Sequence, residues 1–168
     1  MRKRAAFGAV LAIVLGVVGF YAIGPAGSAT NATSIRGRTI RLFEHDTQQA
    51  NIDLGDKGTS PGDRFIWSGD LFDRKGGKNV GRVGGNCETA STGAHAESVC
   101  TGNFILAGGQ IIVQGISNTA DLFGGKNVTW AAIIGGTGIY RTARGYSTVV
   151  VPVDVPNQTD ADFVFYLR

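Results

Sequence analysis

The stretch GGTGIYRTARGY, residues 135–146, carries the turn pattern that decides how the chain folds. It follows the apolar run Val128–Ile134 and leads into Arg144–Val151, a run rich in β-branched residues, so it connects two predicted strands. Glycine suits a tight connection because it adopts positive φ angles at no steric cost. Arg141 stands where the third glycine of a GxGxxG motif would be, and no helical pattern follows, which argues against a dinucleotide site.

The chain on both sides of this stretch has the same organisation. Short apolar or alternating runs are separated by turn residues, with no strong helical period after the N-terminal segment. Eight strands are predicted, at Thr39–Asp46, Arg64–Phe72, Val80–Glu88, Glu97–Leu106, Gln110–Ile116, Val128–Ile134, Arg144–Val151 and Asp162–Leu167. Eight antiparallel strands can close into a barrel wide enough for one small ligand. We therefore predict an all-β fold, an eight-stranded antiparallel up-and-down barrel over residues 39–168.

The N-terminal segment has the layout of a secretory signal. Basic Met1–Arg4 precedes the apolar run Ala5–Ile23, and Pro25 and the small residues Gly27–Ala29 follow. Cleavage after residue 29 would leave a flexible segment, residues 30–38, before the barrel. An uncleaved membrane anchor is the alternative, because the apolar run approaches the about 20 residues that span a bilayer. We expect a secreted, extracellular protein that meets a membrane only through this segment.

The charge balance changes when the signal segment is removed. The whole chain has 16 Lys and Arg residues against 13 Asp and Glu residues. Arg2, Lys3 and Arg4 leave with the segment and no acidic residue does, so the mature chain has no net charge. The sequence pI of about 9.1 is then no argument for nucleic acid binding, and we expect none.

The two cysteines of the chain, Cys87 and Cys100, fit one disulfide in an oxidising compartment. They lie on two strands of a predicted hairpin, and pairing about its turn near Gly93 places them opposite each other. Such a bridge would stabilise the fold by about 3 kcal/mol in the loop-entropy model. A reactive thiol at Cys87 is the alternative. Two cysteines with only two histidines, His45 and His95, argue against a structural zinc site, and no metal is expected.

Five segments resemble the allene oxide cyclase and dirigent families. Residues 62–73, GDRFIWSGDLFD, are similar to the "GD…LYD" strand of these families, and residues 80–87, VGRVGGNC, to their "VGR..G.C" strand. The stretch at 135–146 resembles the dirigent "GGTG.fr.ARGY". Residues 162–167, DFVFYL, resemble the closing strand of the cyclases, and residues 42–46, LFEHD, the first dirigent strand with its "HD". The likeness runs in order over most of the predicted barrel.

The resemblance implies an eight-stranded barrel with a ligand cavity along its axis. Dirigent proteins are secreted trimers that steer the coupling of phenoxy radicals, and allene oxide cyclases steer the ring closure of an unstable epoxide. Neither needs a cofactor in the barrel, so none is expected here. In both families confinement selects one conformer of a reactive ligand. The resemblance also implies a homo-trimer, and outward Phe43, Ile66 and Phe72 would fit a subunit surface.

Glu44 and Asp46 are the first candidate catalytic residues. At positions i and i+2 of a strand they share one face with Ile40 and Leu42, which makes this face apolar at one end and acidic at the other. The resemblance places Glu44 where the cyclases carry a cavity Glu, and Asp46 on the Asp of the dirigent "HD". Partial burial would raise the pKa of one carboxyl group, which suits proton transfer. The alternative is an outward face on which both acids are solvated.

Arg141 and Arg144 flank the glycine-rich turn, and both belong to the dirigent pattern. The resemblance implies that Arg144 reaches the cavity, where it could pair with Asp46 or bind a phenolate or carboxylate. The alternative is a rim arginine that satisfies loop carbonyls. The predicted catalytic residues are therefore Glu44, Asp46 and Arg144. The predicted ligand-binding residues are Leu42, Phe65, Trp67, Arg141 and Tyr146, with ordinary barrel packing as the alternative for Phe65 and Trp67.

Several departures from the families limit the functional prediction. The cavity Cys of the cyclases falls on Cys87, which has a candidate disulfide partner here, and the cyclase Ser-Pro after the first strand and Tyr after the "VQG" strand have no clear match. Gly69 replaces a family Asn on the second strand, so the allene oxide cyclase reaction itself is not implied. The sequence predicts a secreted barrel that binds a small apolar or phenolic ligand and steers its cyclisation, isomerisation or stereoselective coupling. Catalysis is left open at this point, and a non-catalytic carrier or a structural barrel is the alternative.

Overall fold

The protein is a closed barrel of eight antiparallel strands, as the sequence predicts. The computed structural model describes residues 37–123, 127–151 and 160–168. Each strand pairs with the next along the chain, and β8 pairs back with β1. The strands are β1 (Thr39–Ile52), β2 (Arg64–Phe72), β3 (Asn79–Ser91), β4 (Glu97–Leu106), β5 (Gly109–Asn118), β6 (Thr129–Gly136), β7 (Gly145–Val150) and β8 (Ala161–Leu167). The predicted signal segment, its cleavage after residue 29 and most of residues 30–38 lie outside the described residues.

Helical structure between the described strands is short. An α-helix, α1 (Thr119–Phe123), follows β5, and 3₁₀ turns occupy Gly93–His95 and Gly138–Tyr140. The side-chain oxygen of Asn118 accepts a hydrogen bond from the Ala120 backbone N–H at 2.9 Å and so caps α1. Within the described ranges, no helix has the length and apolar character that a membrane span needs.

The strand bounds differ from the prediction mainly at β1. The bounds of β2 and β4 agree with the sequence at both ends, whereas β1 continues to Ile52 instead of ending at Asp46. Its polar second half pairs with β2 from Gln48↔Ser68 to Ile52↔Arg64, after a bulge that follows Asp46. Backbone pairing with β2 therefore extends β1 beyond its apolar pattern.

One end of the barrel interior is filled by apolar side chains. Leu71, Phe104, Ile111 and Phe165 have no exposed surface. The Phe104 ring packs edge to face against both Phe163 and Phe165, with ring centroids 4.8 Å apart in each pair. Such pairs stabilise a core beyond the area that they bury. These side chains form the floor of the space that remains open at the other end.

The glycine-rich turn closes the filled end. The Thr137 backbone N–H donates to the Gln110 carbonyl at 2.9 Å, and Ile139 donates to Gly108 at 2.9 Å, so the turn packs on the β4–β5 hairpin. Gly138 has a φ of 59°, and a Cβ there would lie 2.0 Å from the Gly108 carbonyl oxygen. The close approach therefore requires glycine at this position.

The outer surface of the barrel is apolar on β5 and β6. Ile116, Trp130 and Ile134 expose 57, 59 and 49% of their surface. By contrast, Phe43 on β1 is covered within its own chain, where Lys75 Nζ lies 5.7 Å from the ring centroid. The residues that could meet another subunit are therefore better placed on β5 and β6 than at Phe43.

Candidate functional site

A cavity opens at the end of the barrel opposite the glycine-rich turn. It contains about 640 Å³ of empty space when its mouth is included, and the centre of a water molecule can move through about 80 Å³ of it. Its lining is almost entirely apolar and comes from β1 to β8 together with α1. Phe65 and Trp67 stack 5.7 Å apart, and the Phe123 ring meets Phe65 edge to face at 5.6 Å. These three rings form an aromatic wall beside the mouth.

Small residues leave room for the large ones in this wall. Trp67 is paired with Gly85 across the β2–β3 ladder. A Cβ on Gly85 would lie 2.6 Å from Cη2 of the indole. A side chain larger than hydrogen at residue 85 would therefore displace Trp67 from its position along the cavity wall.

The polar end of the cavity consists of Glu44 and Asp46. The alternation of β1 turns both side chains inward with Leu42, which decides the orientation that the sequence pattern left open. Glu44 lies opposite Ala161 of β8, and Asp46 lies opposite Gly69 of β2. A Cβ on Gly69 would lie 2.6 Å from the His45 carbonyl oxygen and 3.0 Å from Glu44 Oε1. The missing side chain at Gly69 is therefore what admits the two acids.

The carboxyl oxygens of both acids are buried with few partners, although Asp46 as a whole residue is only partly buried. Glu44 is 2% exposed. Apart from the hydrogen bond that the two carboxyl groups share and the one from the Trp67 side chain to Glu44, Glu44 Oε1 and both carboxyl oxygens of Asp46 have no partner among the described residues. An unpaired buried polar group costs on the order of 1–3 kcal/mol, and more when it is charged. The arrangement destabilises the fold, as is typical of groups that are kept for chemistry or ligand binding.

The surroundings raise the pKa of both carboxyl groups. Burial raises the pKa of Glu44 from 4.5 to about 9, the Asp46 carboxyl raises it further, and the Trp67 side chain acts in the opposite direction. Burial also raises the pKa of Asp46, from 3.8 to about 6, although the Glu44 carboxyl lowers it. At neutral pH the coupled pair therefore holds one proton and one negative charge, and Glu44 is the group whose pKa burial raises further. A neutral carboxylic acid beside a carboxylate can donate a proton and accept another.

A third acid lies next to this pair. Asp160 Oδ1 lies 2.9 Å from Nδ1 of His45, on the outer side of β1. The charge of Asp160 raises the pKa of both Glu44 and Asp46. The charge of His45, which Asp160 contacts, acts in the opposite direction on the pKa of Asp46. Three acidic side chains therefore lie close together here, with one imidazole beside them.

The predicted disulfide is confirmed. Cys87 and Cys100 are paired directly across β3 and β4, with an S–S distance of 1.99 Å and Cα atoms 4.0 Å apart. Both residues line the cavity, on the side away from β1. The wall there is a closed sulfur bridge, and the alternative of a reactive thiol at Cys87 is not what the structure shows.

The other predicted site residues are distributed over three places. Phe65 and Trp67 line the cavity, whereas Leu42 is packed in the apolar core. Arg141 and Arg144 are exposed at the filled end, where Arg144 Nη1 donates to the Ala143 carbonyl at 2.7 Å. Arg144 therefore does not form the pair with Asp46 that the sequence had led us to expect. Arg144 directly precedes β7 at the filled end, and β7 runs from there towards the mouth of the cavity, where Asp46 lies.

Tyr146 is also away from the cavity. Its ring lies on the outer surface between Trp130 and Tyr166, at centroid distances of 5.1 and 4.7 Å. The residue that β7 contributes to the cavity is instead Ser147, which is 2% exposed. Ser147 could have been found from the sequence, because successive side chains of a strand point to opposite faces and Ser147 is the neighbour of the outward-facing Tyr146. Phe123 carried no such signal, since α1 was not predicted.

Comparison with known proteins agrees with this architecture. The family model of the allene oxide cyclase barrel like domain matches residues 42–165. The chain belongs to this family. None of the curated proteins matches the chain in sequence.

Solved structures of this barrel type include several enzymes. A pyocyanin demethylase is 28% identical, with a TM-score of 0.65 over 78% of this chain and 100% of its own. An exo-specific intermolecular Diels–Alderase is 16% identical, with a TM-score of 0.60 over 77% of this chain and 96% of its own. A pterocarpan synthase dirigent protein is 18% identical, with a TM-score of 0.58 over 77% of this chain and 82% of its own. The last two support the fold alone.

Proposed function

We propose that the protein binds one small apolar or aromatic molecule at the open end of the barrel and steers its cyclisation, isomerisation or coupling. The observation that carries this proposal is the pair of adjacent carboxyl groups whose buried oxygens lack donors from outside the pair and Trp67, at the end of a largely apolar cavity. A barrel that needed only stability would gain by replacing them with apolar side chains. The presence of two acids at the polar end of the cavity supports a part in chemistry.

The chemistry that suits this pair is proton transfer combined with confinement. Protonated Glu44 serves as a general acid and ionised Asp46 as a general base, on the same reacting molecule. The Asp46 charge also stabilises positive charge that develops on the ligand, in a site from which most water is excluded. The aromatic wall and the Phe104 floor hold the ligand in one conformation, which lowers the entropic part of the barrier.

The comparisons support a small-molecule enzyme without naming its substrate. The pyocyanin demethylase acts, as its name states, on pyocyanin in the same type of barrel. The intermolecular Diels–Alderase, at 16% identity, supports the barrel fold alone. From the demethylase we extend to this chain only the most general feature, a reaction on a small organic ligand.

We also propose that the protein is secreted. The disulfide on the cavity wall suits an oxidising compartment, and the N-terminal sequence has the layout of a signal segment. A mass spectrum of the protein from culture medium that begins after residue 29 would support this, and retention of the segment in the cell membrane would contradict it.

The test of the proposed function starts from the ligand. Native mass spectrometry of the mature protein from its own culture medium would identify a bound molecule. The turnover of this molecule is then compared for the wild type, Glu44→Gln and Asp46→Asn. We expect both variants to remain folded and to lose turnover or change the product distribution. Glu88→Gln, on the outer surface with 47% of its side chain exposed, is the matched control. Unchanged products in both cavity variants would contradict the proposal.

A carrier without chemistry is the second candidate, and the apolar lining favours it. A carrier would release its ligand unchanged, and its affinity would be the same for the wild type, Glu44→Gln and Asp46→Asn. The same set of proteins therefore decides between the two candidates.

A further inference from the structure

The charges around the cavity restrict the ligand more than its apolar lining does. Glu44 and Asp46 are the only ionisable side chains among the lining residues that are described, apart from the bridged cysteines. Asp160 adds a negative charge beside them, and the imidazole that meets Asp160 belongs to His45 on the outer side of β1. The predicted cationic partners, Arg141 and Arg144, lie at the other end of the barrel. No lysine or arginine of the described lining would balance an anionic ligand.

The unpartnered carboxyl oxygens require hydrogen-bond donors. The Glu44 and Asp46 carboxyl groups share a hydrogen bond, and the Trp67 side chain hydrogen-bonds to Glu44. Beyond these contacts, no donor from the described residues reaches the buried Glu44 Oε1 or the two Asp46 oxygens at the cavity. A ligand that brings N–H groups to them recovers the cost of their burial, and a positively charged ligand recovers more. A carboxylate or phenolate would instead place a second negative charge beside Asp46 at low effective dielectric.

The aromatic wall adds a requirement on shape. Phe65 and Trp67 line the cavity together with the two acids, and their ring planes are nearly parallel, with an angle of 14° between them. The outer face of a ring in such a stack is a flat aromatic surface. A planar ligand packs on such a surface, and a cationic ring gains a further attraction to it.

From these three observations we infer that the cavity takes a planar nitrogen-containing aromatic molecule whose protonated or N–H-bearing end meets Glu44 and Asp46, and that it rejects anions of the same size. This inference rests on the proposed function, since it assumes that the open end binds a small ligand. It replaces the phenolate or carboxylate that the arginines of the glycine-rich turn had suggested.

Three two-ring probes of similar size test the inference on the intact mature protein. They are 4-aminoquinoline in its protonated form, uncharged naphthalene and the 1-naphthoate anion, titrated by calorimetry at neutral pH. We expect the cation to bind at least about tenfold more tightly than the anion, with naphthalene between them. Asp46→Asn should reduce this ratio severalfold, and the surface control Glu88→Gln should leave it unchanged.

The wild-type protein gives a second measurement that does not depend on a variant folding. Because the pKa of Asp46 is raised to about 6, the preference for the cation should weaken between pH 7.5 and pH 5 as Asp46 takes up a proton. Glu44 stays protonated over this range, and the other charged groups that face the pair are Asp160 and His45.

The outcomes separate the two proposals. Equal or tighter binding of 1-naphthoate, or a ratio that is the same at both pH values and in Asp46→Asn, would overturn this inference while leaving the proposed function in place. If none of the three probes bound, the cavity would not be a site for small aromatic ligands, and the proposed function would fall with the inference.

Discussion

Replacing Glu44 with Gln should remove a large part of the pH dependence of folding stability. In the folded protein the pKa of Glu44 is raised from 4.5 to about 9, mainly by burial. Below pH 4.5 the group is protonated in both the folded and the unfolded chain, so it imposes no penalty there. Between these two values the unfolded chain releases the proton while the folded chain keeps it, so stability falls as the pH rises.

The size of the effect follows from the range of pH. Each unit between the two pKa values changes the free energy of unfolding by about 1.4 kcal/mol. From pH 5 to pH 8 the wild type should lose about 4 kcal/mol through Glu44 alone. Gln has nearly the same shape as the protonated acid and no charge to lose. Glu44→Gln should therefore match the wild type at about pH 5 and be several kcal/mol more stable at pH 8.

Urea unfolding of the two proteins at several pH values, followed by Trp fluorescence with the disulfide intact, measures this difference. Glu88→Gln is the control, because it removes a carboxyl group of the same type from the outer surface. Parallel stability curves for the wild type and Glu44→Gln from pH 5 to 8 would refute the reasoning, since the buried acid would then not hold its proton.

Three further outcomes are expected. Gly69→Ala should lower the free energy of unfolding by about 1–3 kcal/mol and weaken ligand binding, because its Cβ would lie 2.6 Å from a backbone oxygen. The control Gly84→Ala, whose Cβ would have its nearest atom at 3.7 Å, should lower the free energy of unfolding less. Equal urea midpoints for the two variants would contradict this. Cys87→Ser with Cys100→Ser should lower the free energy of unfolding by about 2–4 kcal/mol, and an unchanged thermal midpoint would show that the bridge contributes nothing. The wild type should be a homo-oligomer joined through the outer face of β5 and β6. Trp130→Glu should then lower the molar mass that light scattering measures. A monomeric wild type would exclude that interface.

The strands could be predicted from the sequence because turn chemistry and alternation are local signals. The turn at residues 135–146 and the eight runs around it predict the strand order that the closed barrel shows. The second half of β1, residues 47–52, carries no apolar alternation. It becomes a strand only through pairing with β2, and a pairing partner is not visible in the strand's own residues.

The site could be predicted only in part. Alternation shows that Glu44 and Asp46 share a face, but the same pattern fits an inward or an outward face, and the position of β8 and Gly69 decides it. Arg144 and Tyr146 belong to the most specific motif of the chain, yet this motif forms the filled end of the barrel. The motif therefore identifies the family but not the position of the site. Arg144 and Tyr146 lie at the start of β7, at the end of the barrel opposite the acids.

The pairing of β1 with β8 has a consequence for the order in which the chain folds. It joins Glu44 to Ala161, on the order of a hundred positions apart, and contacts so distant in sequence form slowly. Until β8 has been synthesised, β1 and β7 would be open edges able to pair with another chain. Ala161 and Phe163 of β8 also line the cavity. A nascent chain therefore has neither a closed ring nor a complete binding site, and it gains both in the same late step.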